Sequence, residues 1–143
     1  MKRLTAILPA ELIALTAVLI FTGCGSSADD KTAGDKKTYR QVSPEEAAAM
    51  MEEESDYIIL DVRTQEEYGT AHIPGAICIP NETIGTEDIP ELPDKDQLIL
   101  VYCRSGNRSK QASEKLAKQG YTNIIEFGGI NSWTGETVSG SGE

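Results

Sequence analysis

QLILVYCRSGNRS, residues 97–109, changes character in the middle. Its first six residues, ending at Tyr102, form an apolar run of the length that a strand buried on both faces takes. Past Cys103 the residues turn small, polar and basic, and Ser109 to Gln119 then reads as a helix that stops at Gly120, a residue suited to the position after a helix end. A buried strand leading through a short loop into a helix is the unit of an α/β domain with a mostly parallel sheet covered on both faces. Such folds build their sites at the carboxyl ends of strands. Cys103 stands at that position.

The alternation continues on both sides. A short strand, YRQV (39–42), leads into Ser43-Pro44-Glu45-Glu46, where Ser43 can cap a helix, Pro44 suits its first position and Glu46 completes a capping box before AAAMMEEE. YIILDV (57–62) is another buried-strand run, followed by a second capping box from Thr64 to Glu67. Pro74 and Gly75 turn the chain into a strand AICI, and NIIEF (123–127) supplies the fifth strand before Gly128-Gly129. The domain is expected over 39–138, with 139–143 as a C-terminal tail. The segment from Asn81 to Pro93 is loop-like and receives no role.

The chain has 143 residues and a net charge of −10. That suits one globular domain, and the sign disfavours nucleic acid as a partner. Its first 23 residues carry Lys2 and Arg3, then an apolar run ending in small residues before Cys24. This is the layout of a secretory signal, and it resembles the bacterial lipoprotein signal, which implies a lipidated Cys24 and a membrane lipid anchor outside the cytoplasm. An uncleaved anchor over Leu4 to Gly23 is the competing reading. Removing residues 1–23 takes away Lys2, Arg3 and Glu11, a net +1, so the mature charge becomes −11. Residues 24–38 are mostly small and polar, without periodicity, and read as a flexible tether.

Cys24, Cys78 and Cys103 are widely spaced, and the chain has a single histidine. Neither a zinc site nor a disulfide framework is suggested, so no metal or cofactor is expected. Cys103 could be a small buried hydrophobe, the common fate of a free cysteine. Its surroundings argue otherwise. A thiol between a strand end and a helix start lies near unpaired N–H groups and the positive end of the helix dipole, and both favour the thiolate. Arg104 and Arg108 add full charges, and Gly106 lets the backbone curl so that successive N–H groups point inward. Such a loop stabilises a thiolate, a persulfide or an incoming oxyanion.

Four stretches, LDVRTQEEY (60–68), AHIPGAICIP (71–80), YCRSGNRS (102–109) and GGINSW (128–133), resemble the rhodanese family in order and spacing. The resemblance covers about Tyr39 to Thr137, with Ala71 standing where relatives often have glycine. It implies a three-layer α/β/α fold with a five-stranded sheet and sulfane sulfur transfer through a cysteine persulfide. Cys103 would carry the sulfur, and Arg104, Ser105, Gly106, Asn107, Arg108 and Ser109 would form the anion-binding loop, with Arg104 or Arg108 holding the donor's oxygens. Asp61 and Arg63 would brace that loop. Partners would be a small anionic sulfur donor such as thiosulfate and a thiol or cyanide acceptor. His72 reads as structural, Cys78 as packing, and Phe127 and Trp133 as core. Two rivals stand beside this reading. A phosphatase or arsenate reductase would need C-x5-R, whereas Arg108 follows Cys103 after four residues and Ser109 holds the place the rival requires for arginine. A non-catalytic module that binds or senses persulfide is the other.

Overall fold

The computed structural model describes residues 38–141. The signal, Cys24 and almost all of the tether lie outside them, as do the last two residues of the tail. The elements follow in the order β1 (Arg40–Gln41), α1 (Pro44–Glu53), β2 (Tyr57–Asp61), α2 (Gln65–Thr70), β3 (Ile77–Cys78), β4 (Leu98–Cys103), α3 (Asn107–Lys118) and β5 (Ile124–Gly129), then a 3-10 turn, Ile130–Ser132. The five strands form one sheet in the order β1-β5-β4-β2-β3, and every pair is parallel. The fold is the expected α/β type.

β4 lies at the centre with all six residues buried. Successive side chains of a strand point to opposite faces. Ile99, Val101 and Cys103 pack on one face with Ala112 and Leu116 of α3. Leu98, Leu100 and Tyr102 pack on the other with Ala47 of α1, Tyr68 of α2 and Phe127. The two cores make three layers, and the alternation puts Cys103 on the face that α3 covers.

Three regions differ from the sequence reading or add to it. The segment 81–93 buries Ile84, Ile89 and Leu92 in the α3-side core, and the Tyr121 hydroxyl donates to the Leu92 carbonyl at 2.7 Å, so its role is packing. Helix α3 starts at Asn107, two residues before the expected Ser109, because Gly106 serves as its cap through backbone conformation alone. Near the end of the chain Val138 and His72 exchange backbone hydrogen bonds at 2.8 Å, and the Gly140 N–H donates to Gly69 at 2.9 Å. Part of the expected tail is thereby tied to the turn after α2.

Candidate active site

The loop between β4 and α3 is fixed by two close backbone approaches. Gly106 has φ +103°, a conformation rare for any residue with a side chain, and a Cβ there would lie 3.6 Å from the Gly128 Cα. At Gly129 a Cβ would fall 2.1 Å from the Arg104 carbonyl oxygen. The loop therefore rests directly on the backbone at the end of β5, and the absence of a side chain at Gly129 is what permits it.

Cys103 ends β4 and is 1 % exposed. The Gly106 N–H donates to its Sγ at 3.0 Å. Burial pushes the thiol up, but hydrogen bonds from Ser109 and from the backbone N–H groups of Ser109, Gly106 and Ser105 outweigh it, holding the thiol below its ordinary value. Among these donors the Ser109 hydroxyl is the weakest candidate. It has one proton, and its Oγ lies 2.6 Å from Glu126 Oε1 and 3.0 Å from the Gly106 carbonyl. We therefore assign the stabilisation of sulfur chiefly to the amides.

The two arginines of the loop part company. Arg108 places Nη1 and Nη2 on the two carboxylate oxygens of Glu67, at 2.6 and 2.8 Å, in a bidentate pair. That pair, against the opposing effect of burial and with help from the Thr64 N–H, holds the Glu67 carboxyl down to about 2. Of the two arginines expected to hold a donor, Arg108 has its fork filled by Glu67 and ties the start of α3 to α2. The exposed Arg104 side chain makes no hydrogen bond or ion pair among the described residues. It borders an open cleft of about 500 Å³ together with Arg63, Glu67, Ile130 and Trp133. Arg104 is thus the loop cation free to meet an anion.

Asp61 and Arg63 are buried and paired, with Arg63 Nη2 at 2.6 Å from Asp61 Oδ2. The same nitrogen donates to the Ala71 carbonyl at 2.6 Å. Their hydrogen bonds hold the turn after α2, and none goes to the Cys103 loop. His72 is buried, stacks on Tyr68 with ring centroids 3.7 Å apart, and its Nδ1 donates to the Tyr68 carbonyl at 2.9 Å. Cys78 is half-buried, and burial with the nearby Asp61 charge pushes its thiol up to about 11. Phe127 is buried, whereas Trp133 is half-buried and forms part of the cleft wall. Beyond the capping role of Glu67, the sequence marks neither Glu67 nor Glu126 as part of the site. A charge within the apolar run NIIEF was the available signal for Glu126. The Glu67–Arg108 pair spans 41 positions and left none.

Comparison with known proteins points to one family. A family model described as a rhodanese-like domain matches residues 43–136. The thiosulfate sulfurtransferase PspE of Escherichia coli is 39% identical over 71 residues, covering 50% of this chain and 68% of that protein. The thiosulfate sulfurtransferase GlpE of Pseudomonas entomophila is 33% identical over 110 residues, covering 73% of this chain and 97% of the relative. Among solved structures, a rhodanese with anions from E. coli aligns over 59% of this chain and 99% of its own, with 38% identity and a TM-score of 0.54.

Proposed function

The chain belongs to the rhodanese-like domain family and is a sulfurtransferase, and we propose that it carries sulfane sulfur as a Cys103 persulfide, from an anionic donor such as thiosulfate to a nucleophilic acceptor. The observation that carries this reading is the start of α3, where the Gly106 N–H points at Sγ and no side chain caps the helix. Unpaired amides at a helix N-terminus favour an anion there, first as thiolate and then as the terminal sulfur of the persulfide.

The reaction needs two displacements. The Cys103 thiolate attacks the outer sulfur of thiosulfate, an S–S bond forms, the donor's own S–S bond breaks, and sulfite leaves with the electron pair. Cyanide or a thiolate then attacks the outer sulfur of the persulfide and Cys103 departs as thiolate. Every nucleophile and leaving group is a stable anion, so no side chain has to act as a base. This agrees with His72 being buried and engaged elsewhere. Arg104 meets the donor's oxygens. What speaks against the phosphatase rival is that the arginine it would recruit, Arg108, pairs with Glu67.

The same proposal places the protein outside the cytoplasm, tethered through lipidated Cys24; what supports this is the sequence of residues 1–24. Acyl labelling in the native host should disappear in Cys24→Ala, and labelling that persists would rule the anchor out. For the chemistry, the protein should form thiocyanate from thiosulfate and cyanide. Cys103→Ser should abolish the activity, and Cys78→Ser should keep most of it. Turnover by Cys103→Ser at the native rate would overturn the assignment.

A further inference from the structure

Glu126 is a buried charge that the sulfur-transfer steps leave unused. It lies on β5 at 2 % exposure. Burying a carboxylate without a cation is costly unless donors replace the lost water, and among the described residues no lysine or arginine pairs with it. Three donors from three parts of the fold converge on it instead. The Ser109 hydroxyl reaches Oε1 at 2.6 Å, the Gly128 N–H reaches the same oxygen at 2.9 Å, and the Gln41 amide reaches Oε2 at 2.8 Å. An ionised carboxylate only accepts hydrogen bonds, and this is the company it keeps.

Ser109 links this carboxylate to the sulfur. Its hydroxyl has one proton and, besides Cys103, three oxygens within reach: Glu126 Oε1 at 2.6 Å, the Gly106 carbonyl at 3.0 Å and the Gly128 carbonyl at 3.2 Å. The charged acceptor at the shortest distance takes the proton. We propose that Glu126 is a positioning residue for sulfur transfer, whose carboxylate claims the Ser109 proton and sets a second negative charge beside the first turn of α3, leaving the anion on Cys103 to the backbone amides. The helix start then serves two anions. The thiolate on Cys103 is less stable than the loop alone would make it, and so the stronger nucleophile toward the donor.

The titratable neighbours that act on these groups are Tyr39, ahead of β1, beside Glu126, and Arg108, on α3, beside Cys103. Tyr39 feels both Glu114 and Glu126, and burial together with those charges pushes its hydroxyl up. Arg108 feels the Cys103 charge, and its pairing with Glu67 pushes it up as well. Both therefore keep their protons around neutral pH.

Glu126→Gln isolates the charge. The amide oxygen can still accept from Ser109 and Gly128, and the Gln41 amide can turn its oxygen toward the new NH2. The readout is the pH dependence of iodoacetamide labelling of Cys103 in the full-length protein, followed on the Cys103 peptide by mass spectrometry so that Cys24 and Cys78 do not contribute. In Glu126→Gln the midpoint should fall by about one pH unit, raising the labelling rate below the midpoint about tenfold. Ser109→Ala, which tests the same claim without altering Glu126, should leave the midpoint within a few tenths of a unit. An unchanged or higher midpoint in Glu126→Gln overturns the proposal. So does a rise of about a unit in Ser109→Ala, because the hydroxyl would then be serving the sulfur. The proposal rests on Cys103 as the sulfur carrier, yet the titration contains no sulfur donor and can fail while sulfur transfer stands.

Discussion

Helices α1 and α3 begin in opposite ways. At α1 the Ser43 hydroxyl accepts from the Glu46 N–H at 3.2 Å, the Glu46 carboxylate accepts from the Ser43 N–H at 2.8 Å, and Pro44 removes another unpaired donor. Glu45 and Glu46 oppose the positive end of the dipole. At α3 the cap is Gly106, with no side-chain hydrogen bond and no acidic residue in the first turn. A capped start is stabilised by about 1 kcal/mol and has little left for an anion. An uncapped start keeps its backbone donors for sulfur. One fold thus uses two helix starts for different ends, and the local sequence decides which is which.

Four substitutions break or sharpen that contrast, the largest effect first. Gly106→Ala forces a side chain into a left-handed backbone against Gly128 and displaces the N–H that meets Sγ. Thiocyanate formation should fall by about a hundredfold, the scale of losing an anion-binding amide. Near-native turnover in Gly106→Ala would show that the open start of α3 is not where the chemistry is supported. Arg104→Ala should raise KM for thiosulfate by about tenfold and leave kcat within about twofold, since its cation meets the donor before the reaction. The native enzyme should lose activity as salt is added, and Arg104→Ala should be less sensitive to it. A kcat loss with unchanged KM would move Arg104 from steering to the chemical step.

Arg108→Ala reports on stability. Glu67 has its carboxyl depressed to about 2 in the folded protein, so the pair's contribution is complete above the ordinary carboxyl range near pH 4.5 and is lost as the pH falls from there through about 2. Both partners are more than a quarter exposed, which limits the contribution to about 1 kcal/mol. Denaturant unfolding should show the native protein ahead of Arg108→Ala at pH 7 and the gap closing with acid. A gap that stays constant with pH would mean the pair contributes by packing alone. Ser43→Ala should cost a similar amount, about 1 kcal/mol, in the same unfolding assay and leave thiocyanate formation unchanged. A loss of activity there would remove the contrast between the two helix starts.

Much of the fold was legible because its signals are local. The apolar run before Cys103 gave β4, and the two capping boxes are present at Ser43 and Thr64. Cys103 at the end of that strand followed from the same reading. The start of α3 was misplaced by two residues for the physical reason that makes it useful: its cap is a backbone conformation at Gly106, with no side chain to announce it. The Arg108–Glu67 pair and the packing of Ile84, Ile89 and Leu92 depend on residues far apart in the chain, so no window of sequence contains both sides. Glu126 lies between these cases. A lone acid among apolar strand residues signals buried partners, but only the fold shows that they are Ser109, Gly128 and Gln41.

The account depends most on Cys103 holding sulfur as an anion in this loop, and mass spectrometry after exposure to thiosulfate tests that directly. The peptide containing Cys103 should gain the mass of one sulfur and lose it on addition of cyanide, while the Cys78 peptide stays unchanged. A Cys103 peptide that never gains sulfur, or a gain that falls on Cys78 instead, would contradict it.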